Sequence, residues 1–211
     1  MARVFGLTGG IGSGKTLVGA RFRARGLPVV DADVLSRQVV ARGSEALGEI
    51  SAAFGPDVLL GDGSLNRARV ADLVFGDPEA RRRLAEITHG RVRALARAEF
   101  DRLSAAGHPL CCYEVPLLFE NDLVEWLRPV VVVSAPESAC LSRVMARDQS
   151  DEGRVRARLR AQLPLDEKAR RADHVIDNGG SIAATLVRAD EVLTAVCGAL
   201  GIDPARYSAL T

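Results

Sequence analysis

The stretch VFGLTGGIGSGKT, residues 4–16, decides the fold because it joins an apolar strand, a glycine-rich turn and a helix start within thirteen residues. It matches the pattern G-x-x-x-x-G-K-[ST] at Gly9, Gly14, Lys15 and Thr16. In this pattern, successive main-chain N–H groups and a helix N-terminus surround phosphate oxygens, and the lysine reaches the outer phosphates. The Thr16 hydroxyl is placed to bind the Mg²⁺ ion that bridges them. The stretch therefore predicts a site for the phosphates of a nucleotide.

Two other interpretations of the same glycines are weaker. Gly10 and Gly12 supply the first two glycines of the dinucleotide pattern G-x-G-x-x-G, but its sixth position is Lys15, so that pattern fails. A merely flexible glycine linker is disfavoured because one of only two lysines in the chain stands where phosphate binding needs it.

Length and composition limit the class of protein. With 211 residues, 47% of them hydrophobic, the chain can bury the core of one α/β domain with insertions. The 28 basic and 27 acidic residues nearly balance, so no overall field attracts nucleic acid, and anion binding must be local. The four cysteines, at 111, 112, 140 and 197, lack C-x-x-C spacing and are expected to be reduced core residues. Because neither a signal peptide nor a long apolar run is visible, we expect no membrane span and a cytoplasmic protein.

Paired carboxylates follow the second predicted strand, residues 27–30. The sequence Asp31-Ala32-Asp33 comes at its C-terminal end, where parallel α/β sheets form their ligand crevice. Residues 31 and 33 share a face if the strand persists. One could then hold Mg²⁺ through water while the other accepts a proton from an attacking hydroxyl. The alternative is that Asp33 only caps the helix predicted over 34–42.

Residues 44–106 form a long segment without a predicted strand. Helices are predicted over 45–54, 66–75 and 78–103. Since a parallel crossover normally needs one helix, this length predicts an inserted subdomain that could hold the second substrate. Most of its arginines are best interpreted as a solvated face, and His89 by itself does not distinguish a ligand contact from an ordinary surface or core residue.

Three further strands complete a predicted five-stranded parallel sheet, over residues 110–115, 130–134 and 173–177. The first of them carries Glu114 near its end, so a further carboxylate is expected at the crevice. The four consecutive valines of 130–133 suit a strand that is covered on both faces. A closing helix is predicted over 182–200.

Eight arginines lie between Arg143 and Arg171, on a helix predicted over 136–147 and two short helices after it. Such a segment predicts a mobile lid, because guanidinium groups neutralise the charge of a transferring phosphoryl group and closure excludes water. Most of the eight are expected to be exposed surface charge. Arg143 and Arg147 are the candidates for phosphate contact, since they lie four residues apart near the hinge.

The assembled motifs resemble the dephospho-CoA kinase family over nearly the full length. The resemblance is carried by segments 6–16, 31–40, 66–75, 114–120, 142–148 and 172–180 together with His89. It implies a three-layer α/β P-loop NTPase fold with an inserted helical substrate domain and a lid. The expected division is a single domain over 1–211, with a core of 1–40, 107–142 and 172–200, an insertion of about 41–106 and a lid of about 143–171. Gly90 stands where the family has proline after its histidine, so the backbone geometry expected after His89 is open.

The resemblance also implies the reaction and its residues. The reaction is the ATP-dependent phosphorylation of the ribose 3′-hydroxyl of dephospho-CoA, which gives coenzyme A and ADP in the final step of coenzyme A synthesis. Asp33 is implied as the base, with Lys15 and Arg143 catalytic and Thr16 on Mg²⁺. The implied ATP-binding residues are Gly10, Ile11, Gly12, Ser13, Gly14, Lys15, Thr16, Arg147, Asn178 and Gly179. The implied acceptor-binding residues are Asp33, Arg37, His89, Pro116, Leu117 and Leu118.

Other function classes fit less well. A P-loop kinase for a nucleotide, shikimate or gluconate is disfavoured by the long insertion and by the EVPLLFE segment at 114–120. A GTP-gated switch lacks an N-K-x-D motif after a strand, and a nucleic-acid-stimulated ATPase needs more stacking aromatics than the 4% present. The expected partners are ATP and dephospho-CoA, without nucleic acid or membrane, in a monomer or weak homo-oligomer.

Overall fold

The structure is a computed structural model that describes residues 2–208. These residues divide into two compact units, one formed by residues 2–31 with 100–208 and the other by residues 32–99. The first unit contains the sheet, and the second is built from helices. None of the helices within residues 2–208 is long and apolar enough to cross a membrane.

The first unit is organised around a five-stranded parallel sheet. Its strands are β1 (Arg3–Gly9), β2 (Val29–Asp31), β3 (Leu110–Glu114), β4 (Val130–Ser134) and β5 (His174–Asp177). Their order is β2-β3-β1-β4-β5, and every neighbouring pair is parallel. The carboxyl ends of all five strands therefore meet at one edge, and the glycine-rich loop leaves the central strand there. This confirms the predicted fold class.

Helices cover the sheet on both faces. On one face α1 (Lys15–Ala24) and α9 (Ile182–Ala199) pack on a core that includes Phe5, Leu7 and Phe22. On the other face the rings of Phe100, Tyr113 and Trp126 pack in edge-to-face and tilted pairs, with centroid distances of 5.4 to 6.3 Å. The valines of β4 are fully buried, as the uninterrupted apolar run predicted.

The first unit also holds the arginine-rich segment, as α6 (Glu137–Asp148), α7 (Glu152–Arg160) and α8 (Leu165–Arg171). The prediction of two short helices after the first is therefore confirmed. Asp151 caps α7 by accepting a hydrogen bond from Arg154 N at 2.9 Å, and Pro164 precedes α8.

The second unit contains α2 (Ala32–Val39), α3 (Glu45–Phe54), α4 (Arg67–Phe75) and most of α5 (Pro78–Ala105), whose last turns belong to the first unit. Ser44 and Asn66 cap α3 and α4 with their side-chain oxygens. The helices bury a separate core around Val39, Ile50 and Val58. A single antiparallel bridge between Leu59 and Leu65 closes the turn before α4.

The structure decides two local points that the sequence left open. Strand β2 ends at Asp31 and α2 begins at Ala32, so Asp31 and Asp33 do not share a strand face. Asp33 lies instead in the first turn of α2, because the chain changes from extended to helical between the two carboxylates. Gly90 lies inside α5, which continues through this residue.

Candidate active site

The glycine-rich loop is held in a conformation that only glycine allows at two positions. Gly12 and Gly14 have φ angles of 76° and 98°, in the left-handed region. A Cβ atom at Gly14 would lie only 2.0 Å from Asn178 Nδ2, and one at Gly12 would lie 2.5 Å from Cys140 O. Surrounding groups therefore fix the loop, and the left-handed residues let successive amides turn toward one point, as in an anion-binding nest.

Ser13, Lys15 and Thr16 carry the polar side chains of the loop. Lys15 Nζ donates to the main-chain oxygens of Gly9 at 3.2 Å and Gly10 at 3.3 Å, so the ammonium lies over its own loop. Ser13 is fully buried, and its Oγ has no hydrogen-bond partner among the residues that the structure describes. An unsatisfied buried hydroxyl costs about 1–3 kcal/mol, which fits a site that a polar ligand completes. Thr16 is exposed in the first turn of α1.

Asn178 supports this loop through a buried network. Its Nδ2 donates to Ser13 O at 2.8 Å, and its Oδ1 accepts from Thr185 Oγ1 at 2.9 Å. Arg143 donates to Asn178 O at 2.8 Å and to Gly12 O at 3.4 Å. Arg143 therefore lies at the loop, and its contact with phosphate stays a prediction. The supporting role of Thr185 has no signal in the sequence, because it depends on α9 packing beside β5.

A cavity of about 640 Å³ opens between the loop, the end of β4 and the helices α6 to α8. Gly10, Ile11 and Pro136 contribute to its wall, together with Arg156, Arg160 and Gln162. Gly179 packs closely beside this wall, since a Cβ atom on it would lie 2.8 Å from Pro136 Cδ. Arg156, Arg160 and Gln162 are missed by sequence reasoning, which could count the arginines but not tell which of them line this cavity. Arg156 is paired there with Glu137 at 2.9 Å and Glu152 at 2.7 Å.

Arg147 has different neighbours. It forms an ion pair with Asp148 at 2.6 Å, and Asp148 also pairs with Arg158 at 2.6 Å. Hydrogen bonds from Arg147 and then Arg158 hold the pKa of the Asp148 carboxyl well below its usual range. Arg147 is not among the residues that line the 640 Å³ cavity in the described part of the chain. Its contact with ATP stays a prediction.

Glu114 is buried on the α1 face of the sheet. It pairs in register with Asp31 and Leu7, so the three side chains point to the same face. Glu114 Oε2 would lie 2.7 Å from a Cβ atom at Gly19, so α1 approaches the carboxylate closely only because residue 19 is glycine. Burial, and secondarily the Glu114 charge, raises the pKa of the Cys112 thiol well above its ordinary value.

The segment after β3 is anchored by Lys168, which sequence reasoning overlooked. Pro116 O accepts hydrogen bonds from Thr8 Oγ1 at 3.2 Å and from Lys168 Nζ at 3.3 Å. Leu118 is fully buried, whereas Leu117 is exposed. A usable signal existed, because Lys168 is the only lysine besides Lys15.

The second unit carries the remaining predicted residues. Asp33 and Arg37 are four residues apart on the exposed face of α2, opposite the buried Leu35 and Val39. His89 lies in α5, where burial and then the charge of Arg93 lower the pKa of its imidazole.

Comparison with known proteins gives a consistent assignment. A family model described as dephospho-CoA kinase matches residues 3–184. A dephospho-CoA kinase from Anaeromyxobacter dehalogenans is 49% identical over 210 residues, which cover 97% of this chain and all of the relative.

Two solved structures extend the comparison. A crystal structure of a Thermus thermophilus protein is 39% identical, with a TM-score of 0.81 over 92% of this chain and 97% of the other. A dephospho-CoA kinase from Campylobacter jejuni is 26% identical, with a TM-score of 0.69 over 94% of this chain and all of that structure. The chain therefore belongs to the dephospho-CoA kinase family of transferases, whose activity is the ATP-dependent phosphorylation of dephospho-CoA in coenzyme A synthesis.

Proposed function

We propose that the protein transfers the γ-phosphoryl group of ATP to the ribose 3′-hydroxyl of dephospho-CoA, with Asp33 as general base and with Lys15 and Arg143 stabilising the transferred group. The observation that carries the donor half of this proposal is the buried, unpartnered Ser13 hydroxyl inside a loop of left-handed glycines. Such a loop presents several N–H donors and a lysine to one point, which suits a triphosphate.

The residues around the loop have separate proposed roles in phosphoryl transfer. The amides of residues 10–16 grip the phosphates, and Lys15 leaves its main-chain oxygens to neutralise the outer ones. Arg143, already directed at the loop, stabilises charge as it spreads over the equatorial oxygens. Gln162 and the arginines of the cavity wall keep water away from the phosphoryl group. Arg147, Asn178 and Gly179 are proposed to complete the ATP site.

Mg²⁺ fits the groups available at the loop. Magnesium usually keeps several waters and takes one or two protein ligands besides phosphate oxygens. The exposed Thr16 hydroxyl supplies one such ligand, and residues 2–208 contain no cluster of three acidic, histidine or cysteine side chains that would form an all-protein cage. The ion, when bound with ATP, neutralises charge on the β- and γ-phosphates.

The acceptor is proposed to be held by Asp33, Arg37, His89, Pro116, Leu117 and Leu118. Asp33 and Arg37 share one exposed helix face, so a base and a cation are offered side by side. The cation suits the anionic pyrophosphate of dephospho-CoA. The neutral imidazole favoured at His89 can hydrogen-bond the acceptor without adding charge.

We further propose a cytoplasmic protein that acts as a monomer or weak homo-oligomer without a nucleic-acid partner. All four cysteines are buried free thiols, which is usual in a reducing compartment.

The test is product formation by the purified protein from ATP, Mg²⁺ and dephospho-CoA, with the position of the new phosphate assigned by NMR. Asp33→Asn should lower kcat by about 10²- to 10⁴-fold with ATP affinity largely kept, as expected for a general base. Asp72→Asn, a matched change at an exposed position of α4, should leave turnover unchanged.

Two results would contradict parts of the proposal. Phosphate on another hydroxyl would refute the 3′ position. If Asp33→Asn abolished ATP binding and left the chemical step unaltered, Asp33 would belong to nucleotide or metal binding.

A further inference from the structure

Lys168 is a fully buried cation, which is unusual enough to require a reason. Its side chain is 0% exposed, and its Nζ contacts Glu120 Oε1 at 2.7 Å and Pro116 O at 3.3 Å. Removing an ammonium group from water costs several kcal/mol, and a buried ion pair often stabilises a fold no better than apolar residues of similar size. The fold alone therefore gives little reason for a charge at this position.

Glu120 joins two parts of the first unit through this pair. The same Oε1 that accepts from Lys168 also accepts from Leu163 N at 2.9 Å. Leu163 belongs to the turn between α7 and α8, residues 161–164. Glu120 lies in the loop of residues 116–120, which follows β3. A second contact joins α8 to the same loop, because the Arg171 guanidinium lies 4.8 Å from the centroid of the Phe119 ring. The turn is thus tied to the 116–120 loop.

The 161–164 turn also contacts the glycine-rich loop. Gln162, next to Leu163, accepts a hydrogen bond from Ile11 N at 3.1 Å through its Oε1. Leu165 packs at the same place, since a Cβ atom at Gly10 would lie 3.7 Å from its methyl groups. Gln162 Oε1 thus occupies one N–H of the glycine-rich loop, and the Nε2 group of the same side chain keeps its donors for a phosphate oxygen.

From this chain of contacts we infer that Lys168 and Glu120 are positioning residues, which hold the 161–164 turn so that Gln162 contacts the terminal phosphate of the nucleotide. This inference rests on the proposed binding of ATP at the glycine-rich loop. Since Pro116 and its neighbours are proposed to hold the acceptor, the same pair also fixes the donor turn relative to the 116–120 loop. A misplacement of about 1 Å at such a site can cost a hundredfold in rate.

The first test is kinetic. Lys168→Met keeps the length of the side chain without its charge and leaves the partly exposed Glu120 beside solvent. We expect kcat per folded enzyme to fall about tenfold to a hundredfold. Tm should fall as well, because Glu120 is left mostly buried without its cation. Lys168→Met/Glu120→Gln removes both charges and should show the same loss if the single variant folds poorly. Arg188→Met, which breaks the exposed pair with Glu191 on α9, is the matched control with unchanged kcat.

A double-variant cycle separates positioning from a general structural effect. Gln162→Ala should lower kcat by itself, and Lys168→Met/Gln162→Ala should be no slower than the slower single variant, because both changes remove the same contact. Independent, multiplying losses would overturn the inference. So would a Lys168→Met enzyme with wild-type kcat, or one whose loss of activity follows only its loss of folded protein.

Hydrogen exchange provides a readout that needs no turnover. In Lys168→Met the peptides that contain Ile11 and residues 161–164 should exchange faster than in the wild type, whereas Arg188→Met should leave them unchanged. Unchanged exchange in Lys168→Met would refute the inference even with a fully active wild type. Conversely, a wild type that makes no coenzyme A but shows the expected exchange pattern would refute the proposed function and leave the positioning contact established.

Discussion

Helix α5 and the segment of residues 143–171 are both rich in arginine, with seven in the helix and eight in the segment. In α5, Arg82 pairs with Glu79 and Glu86, and Arg91 pairs with Glu49 at 2.6 Å, all on the surface of the second unit. In the other segment, Arg143 donates to main-chain oxygens at the phosphate loop. Similar composition therefore serves two purposes. The difference lies at individual positions, because Arg147, Arg156 and Arg158 of the segment also pair with carboxylates. Guanidinium groups next to carboxylates are already neutralised, whereas Arg143 donates to main-chain oxygens.

The largest expected effect tests whether the glycine-rich loop binds the phosphates of ATP. Lys15→Ala should lower kcat by about a hundredfold or more, because one preorganised charge-stabilising donor is lost. Adding Arg143→Ala to this variant should then cost less than Arg143→Ala costs in the wild type. Steady-state kinetics and ATP titration of the four proteins measure both effects, and near-wild-type turnover of Lys15→Ala would overturn the loop assignment.

The second prediction compares the two arginine-rich regions directly. Arg143→Ala should lower kcat by about tenfold to a hundredfold, with a smaller loss of ground-state ATP binding, because a charged hydrogen bond to the transferring group is removed. Arg82→Ala, on the exposed face of α5, should keep kcat within about twofold. Equal effects in the two variants would show that Arg143 and Arg82 do not differ in role. An unaltered kcat with weaker ATP binding would contradict a transition-state role of Arg143.

A smaller effect is expected at the cavity wall. Arg160→Ala should raise the KM for ATP by about three- to tenfold, since a cation beside the phosphate site is lost without disturbing the loop. Arg97→Ala is the matched control at an exposed position of α5. If the KM for dephospho-CoA rises instead of the KM for ATP, the cavity belongs to the acceptor.

The smallest effect concerns stability and pH. Asp148 pairs with Arg147 and Arg158, and its pKa in the folded protein lies below the unfolded value of about 3.9. The pair therefore stabilises the fold above about pH 4, and this contribution is lost as the pH falls through the lowered folded pKa. Asp148→Asn should lower the free energy of unfolding by about 1 kcal/mol or less at pH 7, with a smaller difference near pH 3. A difference that grows toward acid pH would contradict this sign.

Much of the fold could be predicted because its signals are local. Short apolar runs with turn residues on either side placed all five strands, and the helices predicted over 45–54 and 66–75 lie where the structure has α3 and α4. Strand β2 was predicted to end at residue 30 and ends at Asp31, and the chain is helical from Ala32, so the strand does not continue to Asp33. The end of a strand depends on where its pairing with the neighbouring strand stops. Here the pairing of β2 with β3 stops at Asp31, which pairs with Glu114.

The sequence by itself determined the glycine-rich loop, the strand and helix order and the family, because glycine spacing and apolar periodicity act through the local main chain. Only the tertiary structure decided that Lys168 is buried beside Pro116, 52 residues away, and that Asn178 supports Ser13 from 165 residues away. Such contacts depend on which elements the sheet brings together. No local pattern encodes them, because the free energy of a buried polar group is set by partners that only folding supplies.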